Sequence, residues 1–181
     1  AILSLGFLAL IVIGTVLLSL PIATIQPICI LAAAFTATSA VTVTGLNVVD
    51  TANYTTFGQL VIAALIQFGG LGFMTFAILV LTSLQGKMGL SGSITAQEAL
   101  GTHSNQIGST AKAVIKIAFI TEGLGFLGLT LLLAPLKGLK DAMYEAFFLC
   151  ISAFNNAGFA VNGNNMTAYV HQPMISFIIS L

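Results

Sequence analysis

The chain has 181 residues, of which 57% are apolar and 6% are charged, and its five basic and five acidic side chains give a formal net charge of zero. Soluble domains carry about 25% charged residues, so this composition excludes an ordinary soluble protein and predicts an integral membrane protein embedded in the lipid bilayer. The zero net charge and the absence of arginine exclude a basic surface, so we expect no nucleic-acid partner.

The first half of the chain predicts two membrane spans with a shorter apolar segment between them. Residues 1–20 are uncharged and long enough to cross a bilayer once, and Pro21 ends this span. The apolar residues 28–41 number only about 14, which is too few to cross and is typical of a re-entrant helix. A second full span covers residues 57–84, and its glycine cluster at 69–72 predicts the close approach of another backbone.

The second half of the chain repeats this order. Residues 85–110 are the most polar segment and are predicted to form a loop. Residues 113–134 form a third span closed by Pro135, and the apolar residues 142–154 are again too short to cross. Residues 174–181 begin a fourth span, but a helix of that length covers about 12 Å of a core about 30 Å thick, so we expect the chain to continue.

Landmark residues of the two halves coincide at a constant offset, which indicates an internal repeat. The pairs related by 113 positions are Phe35 and Phe148, Gly45 and Gly158, and Gln59 and Gln172. Two spans return the chain to its starting side, so the repeats are parallel and suit a pore around an axis normal to the membrane.

The predicted fold is therefore an all-α integral membrane protein with a pseudo-symmetric pore formed by parallel repeats. Each repeat contains a transmembrane helix, a re-entrant pore helix, a filter loop and a second transmembrane helix. The predicted units are a first repeat at 1–84, a cytoplasmic loop at 85–112, and a second repeat at 113–181 that is truncated within its last helix. The positive-inside rule favours the cytoplasmic side for the loop by a single lysine.

A glycine-containing loop follows each short apolar segment and is the predicted ion site. Non-helical backbone is tolerated at membrane depth where it lines a cavity, and consecutive carbonyl oxygens there can replace the hydration shell of a cation. The partially negative end of the preceding helix also favours a cation. The alternative is that the two glycines only cap their helices. The predicted cation ligands are the carbonyl groups of Thr42, Val43, Thr44, Gly45, Asn155, Asn156, Ala157 and Gly158.

Glu122 lies in the middle of the third predicted span. An ionisable residue within a span is costly, which makes it a functional candidate. Its neighbours Gly123, Gly125 and Gly128 indicate a surface that packs against protein. Glu122 is therefore a candidate for gating or the ion path, or for a structural hydrogen bond between packed helices.

Three motifs resemble the KtrB branch of the Trk/Ktr/HKT superfamily. They are Thr-Val-Thr-Gly-Leu at residues 42–46, Gln-Phe-Gly-Gly-Leu-Gly-Phe-Met-Thr-Phe at 67–76, and Ser-Ala-Phe-Asn-Asn-Ala-Gly-Phe at 152–159. The resemblance covers essentially the whole chain. It implies four repeats in one chain, each donating a filter loop with a central glycine, and Gly45 and Gly158 match that glycine in the first two.

The same resemblance implies a potassium-channel-like pore and potassium uptake across a bacterial plasma membrane through its pseudo-fourfold arrangement. Potassium is then the transported ion, and no organic cofactor is expected in this chain. It also implies a homodimer of the full membrane subunit and a cytoplasmic ring of nucleotide-binding regulatory subunits near the 85–112 loop. A sodium-selective or sodium-coupled transporter of the same superfamily is the main alternative, since only two filter loops are visible.

A membrane-embedded enzyme is a further alternative from a different functional class. An aspartyl intramembrane protease needs paired aspartates inside its spans. The aspartates of this chain, Asp50 and Asp141, are predicted to lie in loops. The sequence therefore favours a transporter.

Overall fold

The computed structural model describes residues 2–87, 96–161 and 173–180, and most of these residues are helical. A 3₁₀ turn over Thr51–Asn53 precedes the third helix, and Thr24 and Tyr54 form an isolated antiparallel bridge. The helices are α1 (Ile2–Leu18), α2 (Ile30–Val41), α3 (Thr56–Lys87), α4 (Ala96–Lys137), α5 (Leu139–Phe154) and α6 (Pro173–Ser180).

Two of the described helices are long and apolar enough to cross a membrane. They contain the apolar segments Thr56–Thr75 and Lys112–Lys137, with mean hydropathies of 1.7 and 1.9. The shorter helices α2 and α5 have 12 and 16 residues. They coincide closely with the two short segments that the sequence predicted.

Several helix ends differ from the sequence expectation. Helix α1 ends at Leu18, before Pro21, and Pro135 lies inside α4 instead of closing it. A proline near the last turn of a helix removes only one interior hydrogen bond, which the remaining turns tolerate. Helix α4 begins at Ala96, so this part of the predicted polar loop is helical, while residues 88–95 lie outside the described residues.

The chain divides into two compact units. One comprises Ala1–Gly70 and Thr121–Leu181, and the other comprises Leu71–Ile120. The first unit contains both short helices and their loops. The second unit consists of the end of α3 and the beginning of α4, so it carries none of the predicted ion ligands.

Small side chains hold the first short helix in the core of the first unit. Ala33, Ala37 and Ala40 of α2 are fully buried, so neighbouring helices approach it closely. Gly14 of α1 contributes to this packing, because a β-carbon there would lie 2.6 Å from the Leu65 side chain. A second cluster joins α4, α5 and α6 around Leu133, Ala146 and Ile175.

Large apolar side chains cover the outer face of this unit. Leu5 and Leu8 of α1 are 68% and 57% exposed, and Leu131 of α4 is 77% exposed. Contiguous exposed apolar surface of this kind is unfavourable in water and favourable against lipid chains. The outer surface therefore agrees with the membrane location that the composition predicts.

Candidate functional site

The first loop begins where α2 ends, in a hydrogen-bonded reversal. Thr42 is the C-cap, with φ −87° and ψ 0°. The next residue, Val43, has a φ of 57°, and its N–H donates to the Ala40 carbonyl at 3.3 Å. The Thr44 N–H donates to the Ser39 carbonyl at 3.0 Å. These two bonds form a Schellman motif with Val43 at its left-handed position.

The second loop leaves α5 through the same reversal. Asn155 is the C-cap, with φ −84° and ψ 0°, and Asn156 follows with a φ of 58°. The Asn156 N–H donates to the Ala153 carbonyl at 2.8 Å, and the Ala157 N–H donates to the Ser152 carbonyl at 2.7 Å. Every one of these positions is 113 residues from its counterpart in the first loop.

The two loop glycines lie beyond the helix caps. Val43 and Asn156 occupy the left-handed cap positions, whereas Gly45 and Gly158 come two residues later, each with a φ of +72°. The alternative that these glycines only cap their helices is therefore wrong. A side chain at such a φ costs about 1–2 kcal/mol in any L-residue other than glycine.

The two loops meet at these glycines. A β-carbon on Gly45 would lie 2.5 Å from the Ala157 carbonyl oxygen and 3.5 Å from the Gly158 α-carbon. A β-carbon on Gly158 would lie 3.7 Å from the Gly45 α-carbon, which is ordinary contact. Residues separated by 113 positions in the chain are thus adjacent in space, and the approach is tightest at Gly45.

The loop carbonyl oxygens accept no hydrogen bond from the protein where the structure describes it. Among the described residues, none donates a hydrogen bond to the carbonyl oxygens of 42–45 or of 155–158. Because no described residue occupies these oxygens, they are available to a ligand or to water. Oxygen atoms of this type bind hard cations such as the alkali metals.

Different side chains hold the two loops. In the first loop, the Ser39 hydroxyl accepts hydrogen bonds from the Leu46 N–H at 2.8 Å and from the Thr44 hydroxyl at 3.1 Å. In the second loop, the Asn155 amide nitrogen donates to the Ile151 carbonyl and to the Gln67 side-chain oxygen, each at 2.9 Å.

Helix α3 lies against the ends of both short helices. A β-carbon on Gly69 would collide with the Val41 backbone, its carbonyl carbon lying 2.8 Å away. A β-carbon on Gly70 would collide with the Asn155 side chain, with Cγ at 2.6 Å. The predicted close backbone approach at this glycine cluster is confirmed for Gly69, and Gly70 makes room for a side chain instead.

Glu122 lies in α4 at a cavity of about 390 Å³, which is also lined by Cys150 and Asn156. Its Oε1 atom is buried and, among the described residues, receives no hydrogen bond. The structure thus brings Glu122 to the side of the second loop, since Asn156 belongs to that loop. Glu122 was a candidate for gating or the ion path, but its place beside the second loop was not predicted from the sequence.

Comparison with known proteins identifies the family. The model of the TrkH family, described as cation transport proteins, matches residues 2–181. The chain belongs to the TrkH family. The predicted resemblance to its KtrB-type members is confirmed by two relatives named Ktr system potassium uptake protein B.

These relatives match nearly all of the chain. The protein from Bacillus subtilis is 44% identical over 99% of the chain, and that from Vibrio alginolyticus is 38% identical over 97%. A potassium/sodium uptake protein, NtpJ, from Enterococcus hirae is 35% identical over 90% of the chain. The chain spans 41%, 39% and 37% of the length of these three TrkH-family relatives, respectively.

Membership of the TrkH family agrees with two expectations from the sequence. The all-helical described residues and the family together support an all-α membrane transporter. The relatives are named as uptake proteins, in agreement with the choice of a transporter over a membrane-embedded enzyme.

Buried hydrogen bonds between distant segments were not predicted. The Tyr144 hydroxyl donates to the Gln59 side-chain oxygen at 2.6 Å, and the Gln59 amide nitrogen donates to the Thr51 carbonyl at 3.0 Å. This pair ties α5 to the start of α3 in the TrkH-family chain. A polar residue at a buried position of an apolar span is the signal that could have indicated Gln59.

Two further polar contacts involve the short helices α2 and α5. The Tyr54 hydroxyl bonds the Thr36 hydroxyl at 3.0 Å, and burial raises the pKa of Tyr54 while this bond opposes the rise. Lys137, at the end of α4, pairs with Glu145 of α5 at 2.7 Å. The Lys137–Glu145 pair anchors the start of α5, at the opposite end from its loop.

Proposed function

We propose that the protein takes up potassium across the plasma membrane through a pore lined by the backbone carbonyls of residues 42–45 and 155–158. One observation carries this proposal. Two loops with the same backbone conformation meet at Gly45 and Gly158, and their carbonyl oxygens accept no hydrogen bond from the described residues. In this proposal the chain supplies the first two filter loops of a pseudo-fourfold pore built from parallel repeats.

The electrostatics of the two loops support a cation. Neither loop contains a charged side chain, so attraction comes from carbonyl dipoles and from the C-terminal ends of α2 and α5. Dipoles attract a cation without a fixed countercharge, which allows the ion to leave as well as to enter. A filter of this type conducts, whereas a cage of carboxylates would hold the ion.

Potassium is the favoured ion because two of the relatives are named potassium uptake proteins and both loops carry glycine. Sodium transport or coupling is the second candidate. The observation that favours it is that the relative from Enterococcus hirae is named a potassium/sodium uptake protein.

The partners of the protein are also part of the proposal. The names of the Ktr relatives refer to a system, which suits a membrane subunit that acts with another component. The family resemblance suggests a homodimeric membrane part and a cytoplasmic ring of nucleotide-binding subunits near residues 85–112. A cysteine introduced at Lys112 should crosslink to the nucleotide-binding subunit, whereas a cysteine on the outer side of the membrane, as control, should not. Reaction of the Lys112 cysteine with an impermeant reagent added outside intact cells would contradict the cytoplasmic location.

Substitution of the loop glycines tests the pore assignment. We expect Gly45→Ser and Gly158→Ser to raise the potassium concentration for half-maximal uptake and to lower the potassium-to-sodium uptake ratio about tenfold, because the carbonyl cage is distorted. Uptake would be measured in cells without other potassium uptake systems, at equal amounts of protein in the membrane.

A matched control is Gly138→Ser. Gly138 also has a positive φ, +84°, but a β-carbon there would meet nothing within 4 Å. This variant carries backbone strain without crowding the two loops, so its ion preference should equal that of the wild type. Wild-type affinity and selectivity in both loop variants would contradict the filter assignment.

A further inference from the structure

Asn155 connects the second loop to α3. It caps α5, only 9% of its surface is exposed, and its own carbonyl is the first of the proposed ligands 155–158. Its amide nitrogen has two hydrogens, and both are used, one for the Ile151 carbonyl and one for Gln67 Oε1. The direction of the loop at this point therefore depends on which atom Gln67 presents to Asn155.

Gln67 has a second polar atom on the opposite side of its amide group. Because Oε1 accepts from Asn155, Nε2 points elsewhere, where it is buried and has no hydrogen-bond partner among the described residues. Glu122 Oε1, on α4, is likewise buried and unpartnered there. The two side chains lie beside the same loop, because Gln67 bonds Asn155 and Glu122 lines a cavity with Asn156, and Gln67 is the side chain that interacts with the Glu122 carboxyl group.

The two unpartnered atoms are chemically complementary. Gln67 Nε2 can only donate, and a Glu122 carboxyl oxygen can accept. The 390 Å³ cavity that Glu122 lines has room for water, and either a water that bridges the two side chains or a direct hydrogen bond would pair them. Either arrangement satisfies both atoms.

This pairing would fix the orientation of Gln67. A glutamine amide can turn over and exchange its oxygen and nitrogen. If Gln67 turned over, its nitrogen would face the Asn155 nitrogen, and two donors cannot form a hydrogen bond. An acceptor at Glu122 favours the orientation in which Nε2 faces α4 and Oε1 faces Asn155.

We propose that Glu122 and Gln67 are positioning residues for the second filter loop, acting through Asn155. Glu122 acts as a hydrogen-bond acceptor and does not contact the transported ion. This inference rests on the proposed function of that loop. The first loop, held by Ser39, has no link of this kind among the described residues, so the effect belongs to one loop only.

Conservative and non-polar variants of Glu122 distinguish this role from a role in the ion path. Glu122→Gln keeps an acceptor oxygen and removes the charge, whereas Glu122→Met keeps the length and removes the acceptor. We expect Glu122→Met and Gln67→Leu each to lower the potassium-to-sodium uptake ratio about threefold to tenfold, mainly by raising the potassium concentration for half-maximal uptake. Glu122→Gln should stay within about twofold of the wild type.

Two further variants complete the test. The double variant Glu122→Met with Gln67→Leu should have the same potassium-to-sodium uptake ratio as Gln67→Leu alone, because both changes break one linkage. Thr130→Val is the matched control: Thr130 is another buried, unpartnered polar group of α4 among the described residues, and it has no link to Asn155. Its ion preference should be unchanged.

The outcomes separate this inference from the proposed function. If Gly45→Ser and Gly158→Ser lower selectivity while Glu122→Met does not, the inference falls and the filter assignment stands. If Glu122→Gln is as defective as Glu122→Met, the charge matters and the acceptor role is wrong. If the glycine variants also keep wild-type selectivity, the filter and this inference fall together. If Glu122→Met does not reach the membrane, the uptake ratios of Gln67→Leu and Thr130→Val are compared instead. Equal ratios in these two variants would contradict a linkage through Asn155.

Discussion

The two loops share a backbone path but differ in the side chains that hold it. The Ser39 hydroxyl of α2 accepts two hydrogen bonds from the first loop. The second loop is held by the hydrogen bond between Asn155 and Gln67 of α3. The left-handed cap position is occupied by Val43 in one loop and by Asn156 in the other. The two loops therefore share a backbone conformation, while the side chains that support it differ: one support comes from the same helix and the other from α3.

The largest difference between the loops is expected at the glycines. Gly45→Ala should destabilise the protein by about 3 kcal/mol, because it combines left-handed strain with crowding against the Ala157 carbonyl. Gly158→Ala adds only strain, about 1–2 kcal/mol, because its β-carbon finds ordinary contact. Thermal unfolding in detergent checks the order, and equal losses in the two variants would remove this asymmetry.

The cap positions give the next effect. Asn156→Val should cost about 1–2 kcal/mol, since a β-branched residue is disfavoured in the left-handed region. The reciprocal Val43→Asn should change stability by less than about 1 kcal/mol, because relief of strain is offset by the loss of Val43 packing against the core. Unfolding curves of both variants measure this, and a stable Asn156→Val protein would contradict it.

Serine substitutions give a smaller effect and distinguish how each loop is supported. Ser39→Ala should cost about 1 kcal/mol and weaken potassium affinity, because the Leu46 N–H and the Thr44 hydroxyl lose their acceptor. Ser152→Ala, the equivalent change in the second repeat, removes a hydroxyl without a hydrogen bond among the described residues. Potassium uptake should therefore respond to the first change and hardly to the second.

The sequence predicted the short helices and the loop glycines because both leave local signals. Apolar segments of about 14 residues are too short to span, and a glycine at a constant offset marks a special backbone position. The predicted segments 28–41 and 142–154 correspond to Ile30–Val41 and Leu139–Phe154. The predicted unit boundaries and the cytoplasmic side of residues 85–112 stay predictions.

The supports of the loops could not be predicted because they depend on tertiary contacts. Gln67 and Asn155 are 88 residues apart, and nothing near either residue indicates that they meet. Val43 in the left-handed region contradicts the local preference of a β-branched residue, and such a conformation persists only where the surrounding structure imposes it. The start of α4 at Ala96 was missed because a polar helix resembles a loop in composition.

The central claim is that the carbonyls of 42–45 and 155–158 bind the transported cation. The direct test is an experimental structure of the protein with rubidium or thallium in place of potassium, in which anomalous scattering locates the ion. The account predicts an ion in contact with carbonyl oxygens of both loops beside Gly45 and Gly158, displaced by excess potassium. A transport-competent protein whose bound ions all lie away from these two loops would contradict it.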